Sequence, residues 1–416
     1  QHPHLWRDAV RVVVAELLAD PAVDVERLAA VGVSGQQHGC VLLGEDDEPV
    51  RAAKLWCDTA TVDEAAELGV ATGFTASKVL YTRRHEPELW ASTRRVLLPH
   101  DYVNLLLSGE ARMEAGDASG TGWFDVRARR FDGTAMERID ELGGDGTRLA
   151  ERLPELTDAT DPLAPIGRTT SILGLPSGLV VAPGGGDNMM SALGSGATRA
   201  GTLVLSLGTS GTAFAHSDAP VVDPDGLVAP FCGSAGGWLP LLCVMNLTGV
   251  TEEVRAGFGQ DHGALTAAAS EVPPGCDGLL WLPYLAGERV PDLPRATGTL
   301  LGMRAGHLRS GVLYRAALEG TSLNLACGVE RLRGLGLGFD RVHLVGGAAQ
   351  NPLWREVLAA CLGAPLVALE EPESAALGAA LQALGSLHRD RGGEPDLHAL
   401  AEPFVRGDAA TEPHPG

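Results

Sequence analysis

Lysine is almost missing from this 416-residue chain: only Lys54 and Lys78 occur, and the other basic residues are arginines. The basic side chains number 32 against 53 acidic ones, a formal net charge of −21. A chain this acidic repels phosphate polymers, and no Lys/Arg cluster offsets the repulsion, so nucleic acid is not expected as a partner. A small anion such as a nucleotide is still accessible through backbone amides, helix N-termini, a metal ion or single arginines. No run of about 18 uncharged apolar residues occurs, so no membrane span is expected. No signal-peptide pattern is visible. The seven cysteines are odd in number, widely spaced and without a CxxC pair. That argues against a disulfide framework or a thiolate zinc site and fits a reducing cytoplasm. Apolar residues make up 45% of the chain, enough for real cores and too many for a mostly disordered one. Length suggests two to three domains at roughly 150 residues each.

Glycine, by contrast, is plentiful: 54 residues, many clustered after apolar runs. Such clusters suit turns with positive φ or backbone that approaches a ligand closely. Residues 4–19 place Trp6, Val10, Val13 and Leu17 on one helical face. A short strand over 30–33 ends in Ser34-Gly35-Gln36-Gln37-His38-Gly39, and a second strand follows over 40–43. Helices are expected at 59–70 and 86–108, with a less regular span over 110–175. A buried strand at 179–182 runs into Pro183-Gly184-Gly185-Gly186-Asp187-Asn188, followed by a small-residue helix over 188–196. A hairpin follows, with strands 202–207 and 212–216 around Gly208-Thr209-Ser210-Gly211. The chain closes with helix 309–333, strand 341–345, the turn Gly346–Asn351, helix 352–362, strand 365–369 and helix 374–386. The tail beyond about 406 is expected to fray. Strands alternating with helices indicate α/β layers. The spacing suggests one domain boundary near residue 197.

Three of these turns could carry chemistry. Asp187 follows three glycines at the C-terminal end of a strand, the edge where open α/β sheets bind ligands. It could act as a general base toward a hydroxyl or cap the next helix. The Leu207–Thr212 turn could cradle a phosphate through amides and hydroxyls, or be a plain glycine hairpin. It matches neither a Walker A loop nor a dinucleotide fingerprint. Gly346 and Gly347 would let a flat ligand approach the backbone. Asn351 could bond that ligand or cap the helix at Pro352. His38 alone suits a structural role as well as a functional one. Trp56-Cys57-Asp58 could be an aromatic platform with a polar hook, or a strand end.

Taken in order, the turns resemble the FGGY family of carbohydrate kinases over about residues 4–390. The resemblance rests on Ser34–Gly39, Leu55–Thr59, Leu97–Tyr102, Gly116–Thr121, Gly185–Asn188, Leu207–Thr212, Gly298–Gly302, Ala317–Gly320 and Gly346–Asn351. It implies an α/β fold of two ribonuclease-H/actin-like domains, 1–196 for sugar and 197–416 for nucleotide, with a cleft between them. It implies ATP and Mg²⁺ as co-substrate and cofactor. The members it is most similar to phosphorylate D-xylulose at its 5-hydroxyl. On this resemblance Asp187 is the catalytic base, and Asn188, Gln37 and His38 contact the sugar, with Arg95 as a further sugar contact. Gly208 and Thr209 lie near the transferred phosphate, Gly249 is another nucleotide contact, and Gly346, Gly347 and Asn351 form the adenine-side turn. Lys78 falls in the family's first signature, with Tyr81 where Trp is usual, and receives no catalytic role. A homodimer is common in the family. Its opening Asp-x-Gly-Thr turn is not found here, so the first domain is expected to lack its first strands. Alternatives are a kinase of another sugar or polyol (ribulose, glycerol or gluconate type), an inactive sugar-binding protein, and an actin-like assembly protein.

Overall fold

The computed structural model describes residues 1–167 and 173–414. The chain divides into two units, each assembled from separate segments. The first contains residues 1–194, 231–237 and 375–403; the second contains 195–230, 238–374 and 404–416. A single boundary near residue 197, separating 1–196 from 197–416, is therefore too simple. The last long helix folds with the first unit, because its glycines let it approach that unit's backbone, as described below.

In the first unit, helix α1 (Pro3–Ala19) buries Val14, and Trp6, Val10 and Leu18 pack on the same core. Steps of four residues follow one side of the helix. Val13 and Leu17 lie on the other side, 62% and 47% exposed, so the expected apolar face shifts to Val14 and Leu18. Strands β1 (Ala30–Val31) and β2 (Ser34–Gly35) are two short pieces rather than one strand over 30–33. The span expected to be helical over 86–108 contains strand β4 (Arg95–Leu97), which pairs antiparallel with β3 (Val41–Leu43). Helix α2 (Thr75–His85) precedes it and helix α3 (Pro99–Ser108) follows it. Helix 59–70 narrows to Val62–Leu68. Of the span 110–175, the described part holds a parallel pair, Arg112–Glu114 with Glu155–Thr157, and the helix Gly133–Gly143. Residues 168–172 of that span lie outside the described residues.

Two parallel ladders organise the unit. β1 pairs with β5 (Val180–Val181), and β2 pairs with β6 (Gly185–Gly186), which leads directly into helix α4 (Asp187–Gly194). Glycine is required where the ladders are interrupted. A Cβ on Gly32 would stand 2.1 Å from the Ala379 carbonyl oxygen of the helix Ser374–Asp390. Gly184 has φ +71°, and a Cβ there would be 2.8 Å from the Val33 oxygen. A Cβ on Gly378 of the same long helix would lie 1.8 Å from the Met190 oxygen of α4.

In the second unit, β7 (Gly201–Leu207) and β8 (Gly211–Ala215) form the expected hairpin. With β9 (Trp238–Val244), β10 (Phe339–Val345) and β11 (Leu366–Ala368), the sheet runs β9-β8-β7-β10-β11. β7, β10 and β11 are parallel, as the alternating strands and helices predict. Helices α5 (Thr248–Phe258), α6 (Ser310–Gly334) and α7 (Pro352–Leu362) contribute Val250, Tyr314, Leu318, Leu325, Trp354 and Leu358 to its core. The tail does not fray where expected. Thr411 donates to the Leu366 oxygen (2.8 Å) and Asp408 to that of Ala368 (2.9 Å), so the tail covers the β11 edge. Residues 415 and 416 lie outside the described ones.

Candidate active site

The parallel register sets Gly185 beside Ser34 and Gly186 beside Gly35. The segments that follow, Gln36–Gly39 and Asp187–Asn188, therefore leave the same edge of the ladder. Asn188 Nδ2 donates to Gln37 Oε1 (2.7 Å) and to Asp187 Oδ1 (3.2 Å), and the Asn188 amide donates to Asp187 Oδ1 (2.9 Å). Gly186 must be glycine: a Cβ would lie 2.7 Å from Gln37 Cγ and 2.9 Å from Asp117 Oδ1. Burial pushes the Asp187 carboxyl up to about 6, and the negative charge of Asp117 adds to the rise; bonds from Asn188 and the backbone oppose it. Near neutral pH the group is ionised yet basic enough to take a proton.

His38 sits in the same loop with φ +62°, a left-handed conformation uncommon outside glycine. Four contacts hold it. The Lys78 ammonium and the Thr75 hydroxyl donate to its carbonyl, at 2.5 Å and 3.2 Å. Its ring stacks on Phe74 at 4.7 Å, and its Nδ1 is 2.8 Å from the Gly120 oxygen. Burial lowers the Lys78 amine to about 8.

Beneath these strands lies a buried polar group. The His100 ring lies between Asp117 Oδ2 (2.8 Å from Nδ1) and Asp101 Oδ1 (2.9 Å from Nε2), and all three side chains are fully buried. Burial works against a charge on His100, but Asp101 and Asp117 outweigh it and hold the imidazole well above its usual range. Burial raises the Asp117 carboxyl, with His100 opposing, and raises that of Glu114. Glu114 Oε2 accepts from Ser234 (3.0 Å). Gln382 Nε2 donates to the Gly184 carbonyl (2.9 Å).

In the second unit, two turns leave neighbouring parallel strands. Gly208 and Thr209 follow β7, and Gly346 and Gly347 follow β10, whose Val345 pairs with Ser206. Gly346 has φ +93°, and a Cβ there would stand 2.7 Å from the Leu207 oxygen. Gly208 and Thr209 are exposed, and the amides of Thr248 and Leu247 donate to their carbonyls, each at 3.1 Å. These bonds bring the start of α5 to the turn, so Gly249 lies against Thr209, a Cβ on it being 3.6 Å from Thr209 Cγ2. Asn351 caps α7, accepting from the Trp354 amide (3.2 Å), and its Nδ2 donates to Thr266 Oγ1 (3.0 Å). Gly347 is open, with nothing within 4 Å of where a Cβ would stand.

Two family models cover most of the chain. The N-terminal domain of the FGGY family of carbohydrate kinases matches residues 1–194, and its C-terminal domain matches residues 203–387. The chain belongs to the FGGY family of carbohydrate kinases. Two FGGY relatives are similar along most of their length. A xylulose kinase of Haemophilus influenzae is 35% identical, over 100% of this chain and 87% of that protein. A xylulose kinase of Streptomyces coelicolor is 37% identical, over 92% and 79%. A solved structure from Brucella ovis, described as a xyloylose kinase, has a TM-score of 0.90 and 29% identity, over 100% of this chain and 86% of that one. The fold is accordingly that of the two-domain FGGY kinases, and the chain is a sugar kinase; kinases of this family use ATP. Among the described residues, no helix is long and apolar enough to cross a membrane.

The structure brings together Gln37, Asp187 and Asn188, with His38 in the same loop, and in the other unit Gly208, Thr209 and Gly249. It does not bring Arg95 to them. Arg95 Nε pairs with Asp47 (2.8 Å), and Arg95 faces Leu43, at the end of the β3–β4 ladder away from the His38 loop. Sequence reasoning gave no role to His100, Asp101, Asp117, Glu114 or Gln382. The available signal was polar residues inside the apolar runs Leu97–Tyr102 and Met113–Ala118.

Proposed function

We propose that this FGGY kinase transfers the γ-phosphoryl group of ATP to the 5-hydroxyl of D-xylulose. The observation that carries the reading is the shared ladder edge, where a half-buried carboxylate stands beside two carboxamides suited to sugar hydroxyls. The xylulose kinases at 35% and 37% identity support the choice of sugar.

Asp187 takes the hydroxyl proton as O5 attacks. The new O5–P bond forms while the bond from phosphorus to the β-phosphate oxygen breaks, and ADP departs. A primary alcohol does not ionise unaided near neutral pH, so a placed carboxylate lowers the barrier as the bond forms. Gln37, His38 and Asn188 orient the sugar. Gly208 and Thr209, with Gly249 behind them, receive the phosphates; Gly346, Gly347 and Asn351 form the adenine side. The exposed backbone of Gly208 and the open backbone of Gly347 suit close approach of phosphate and a flat base. Among the described residues, no three His, Cys, Asp or Glu side chains are grouped to hold a metal. Mg²⁺ carried on the triphosphate would offset the repulsion between the nucleotide and a chain of charge −21.

A sugar panel tests the substrate. With Mg-ATP, D-xylulose is expected to give the highest kcat/KM for ADP release. Faster turnover of ribulose, glycerol or gluconate would overturn this assignment within the family.

A further inference from the structure

The motifs Leu97–Tyr102 and Gly116–Thr121 have no part in the chemistry above, yet their polar residues lie directly under it. Asp117 is fully buried, and its Oδ2 is 2.8 Å from His100 Nδ1. His100 is pressed against the catalytic ladder from below. A Cβ on Gly35 would be 2.9 Å from His100 Cβ, and one on Gly184 would be 2.9 Å from His100 Cδ2. Asp117 Oδ1 and Gln37 Nε2 are both buried and without a hydrogen bond, and both side chains border Gly186. One is an acceptor and the other a donor, so each is the natural partner of the other. The opposite end of the Gln37 carboxamide, Oε1, is already taken by Asn188. A chain of contacts thus runs from His100 through Asp117 and Gln37 to Asn188 and Asp187.

Stability alone does not account for this group. Asp101, Glu114 and Asp117 are buried around a single imidazole, an excess of buried carboxylates that costs desolvation energy and that apolar side chains would avoid. Sites that tune a reacting group are where such costs are retained.

We propose that Asp117, clamped by His100, is a positioning residue for the sugar end of the reaction. It orients the Gln37 carboxamide and keeps a negative charge behind the Asp187 carboxyl. The inference rests on the roles of Gln37 and Asp187 given above. Asp117 is faced by His100 and Asp101 from α3, by Glu114 from its own segment, by Gln37 after β2 and by Asp187 at the start of α4; Ser234 borders Glu114. Of these groups only His100 is cationic, so replacing Asp117 removes negative charge next to Asp187 and leaves nothing equivalent in its place.

The test reads the Asp187 carboxyl by carbon NMR in the ¹³C-labelled full chain, the resonance being assigned through Asp187→Asn. The titration midpoint is expected near 6. In Asp117→Asn, an isosteric change, it is expected to fall by about one pH unit, and the acid limb of kcat/KM with it. A merely structural role would lower the melting temperature and leave the midpoint alone. An unchanged midpoint in a folded Asp117→Asn overturns the proposal. Should that variant not fold, the wild-type His100 ring decides by nitrogen NMR. An imidazolium at pH 8 supports the clamp, and a neutral ring at pH 7 overturns it. The carboxyl titration needs no turnover, so a kinase assay negative for D-xylulose would count against the functional reading while leaving this result standing.

Discussion

Asp187 shows most directly how function and stability oppose each other in this chain. Its folded-state value near 6 lies above the ordinary 3.8, so the native state binds the proton more tightly than the unfolded chain does. Between about pH 4 and pH 6 stability therefore falls as pH rises, and the deficit persists above that window. Asp187→Asn is expected to be more stable than wild type at pH 8, by about 1–2 kcal/mol, with the gap closing near pH 4. Urea denaturation at the two pH values checks this; equal stability at pH 8 would contradict it. In the wild type, kcat/KM for the sugar is expected to drop about tenfold per pH unit below 6, as the base becomes protonated. A pH–rate profile flat down to pH 5 would argue against Asp187 as base. Asp187 stood out in the sequence as a carboxylate after three glycines, while Asn188, Gln37 and His38 were named on the resemblance; the structure places all four at one edge of the ladder. Arg95 was offered as a sugar contact on the resemblance alone; in the structure it lies on β4, pairs with β3 and is held by Asp47. Asp117 and His100 were not legible as partners: 17 residues separate them, and no local pattern signals a buried ion pair.

Elements with long, regular periodicity could be read from sequence, and short ones decided by tertiary contact could not. The second unit's hairpin, α7 and strand β10 match their patterns closely, because each is long enough to show its period. In the first unit β1, β2, β5 and β6 are two residues each, broken where glycines admit neighbouring backbone. Such interruptions follow from what packs on the strand, not from the strand itself. α2 was missed altogether; its polar Lys78, Thr82 and Arg83 are buried, so it shows no apolar stripe. Arg83 is held by Asp145 (Nε–Oδ2 2.9 Å and Nη2–Oδ1 2.6 Å) and by Asp140 (Nη1–Oδ1 2.6 Å). Burial opposes ionisation of Asp145, but the bonds from Arg83 and Thr147 prevail and hold its carboxyl at about 2. This contribution is present above about pH 4 and lost as pH falls toward 2. Arg83→Met is expected to cost about 3 kcal/mol at pH 7, less below pH 3, in equilibrium unfolding. A cost under about 0.5 kcal/mol at pH 7 would show the network to be dispensable. Gly378→Ala would force the Ser374–Asp390 helix off the Met190 carbonyl of α4. It is expected to lower both the melting temperature and sugar turnover, because α4 carries Asp187; unchanged turnover would contradict the link.

At the scale of the whole molecule, the chain builds each unit from segments distant in sequence, so neither unit corresponds to one half of the sequence. Composition and motif order were enough to place it among the carbohydrate kinases. They did not reveal that residues 375–403 fold with the first unit, because that depends on close contacts at Gly32 and Gly378. The sugar and nucleotide sites proposed above lie in different units, which predicts separable stabilisation by ligands. In a protein labelled in both units, D-xylulose should protect Gln36–Gly39 from hydrogen exchange, and Mg-ATP should protect Gly208–Thr209 and Gly346–Gly347. Protection of both regions by either ligand alone would contradict the division. The most direct test of the central claim is sugar-dependent ADP release from Mg-ATP, measured with D-xylulose on this chain and on Asp187→Asn side by side. The account predicts release that requires the sugar and is reduced at least about a thousandfold in the variant. Sugar-dependent release at the wild-type rate from Asp187→Asn would contradict it.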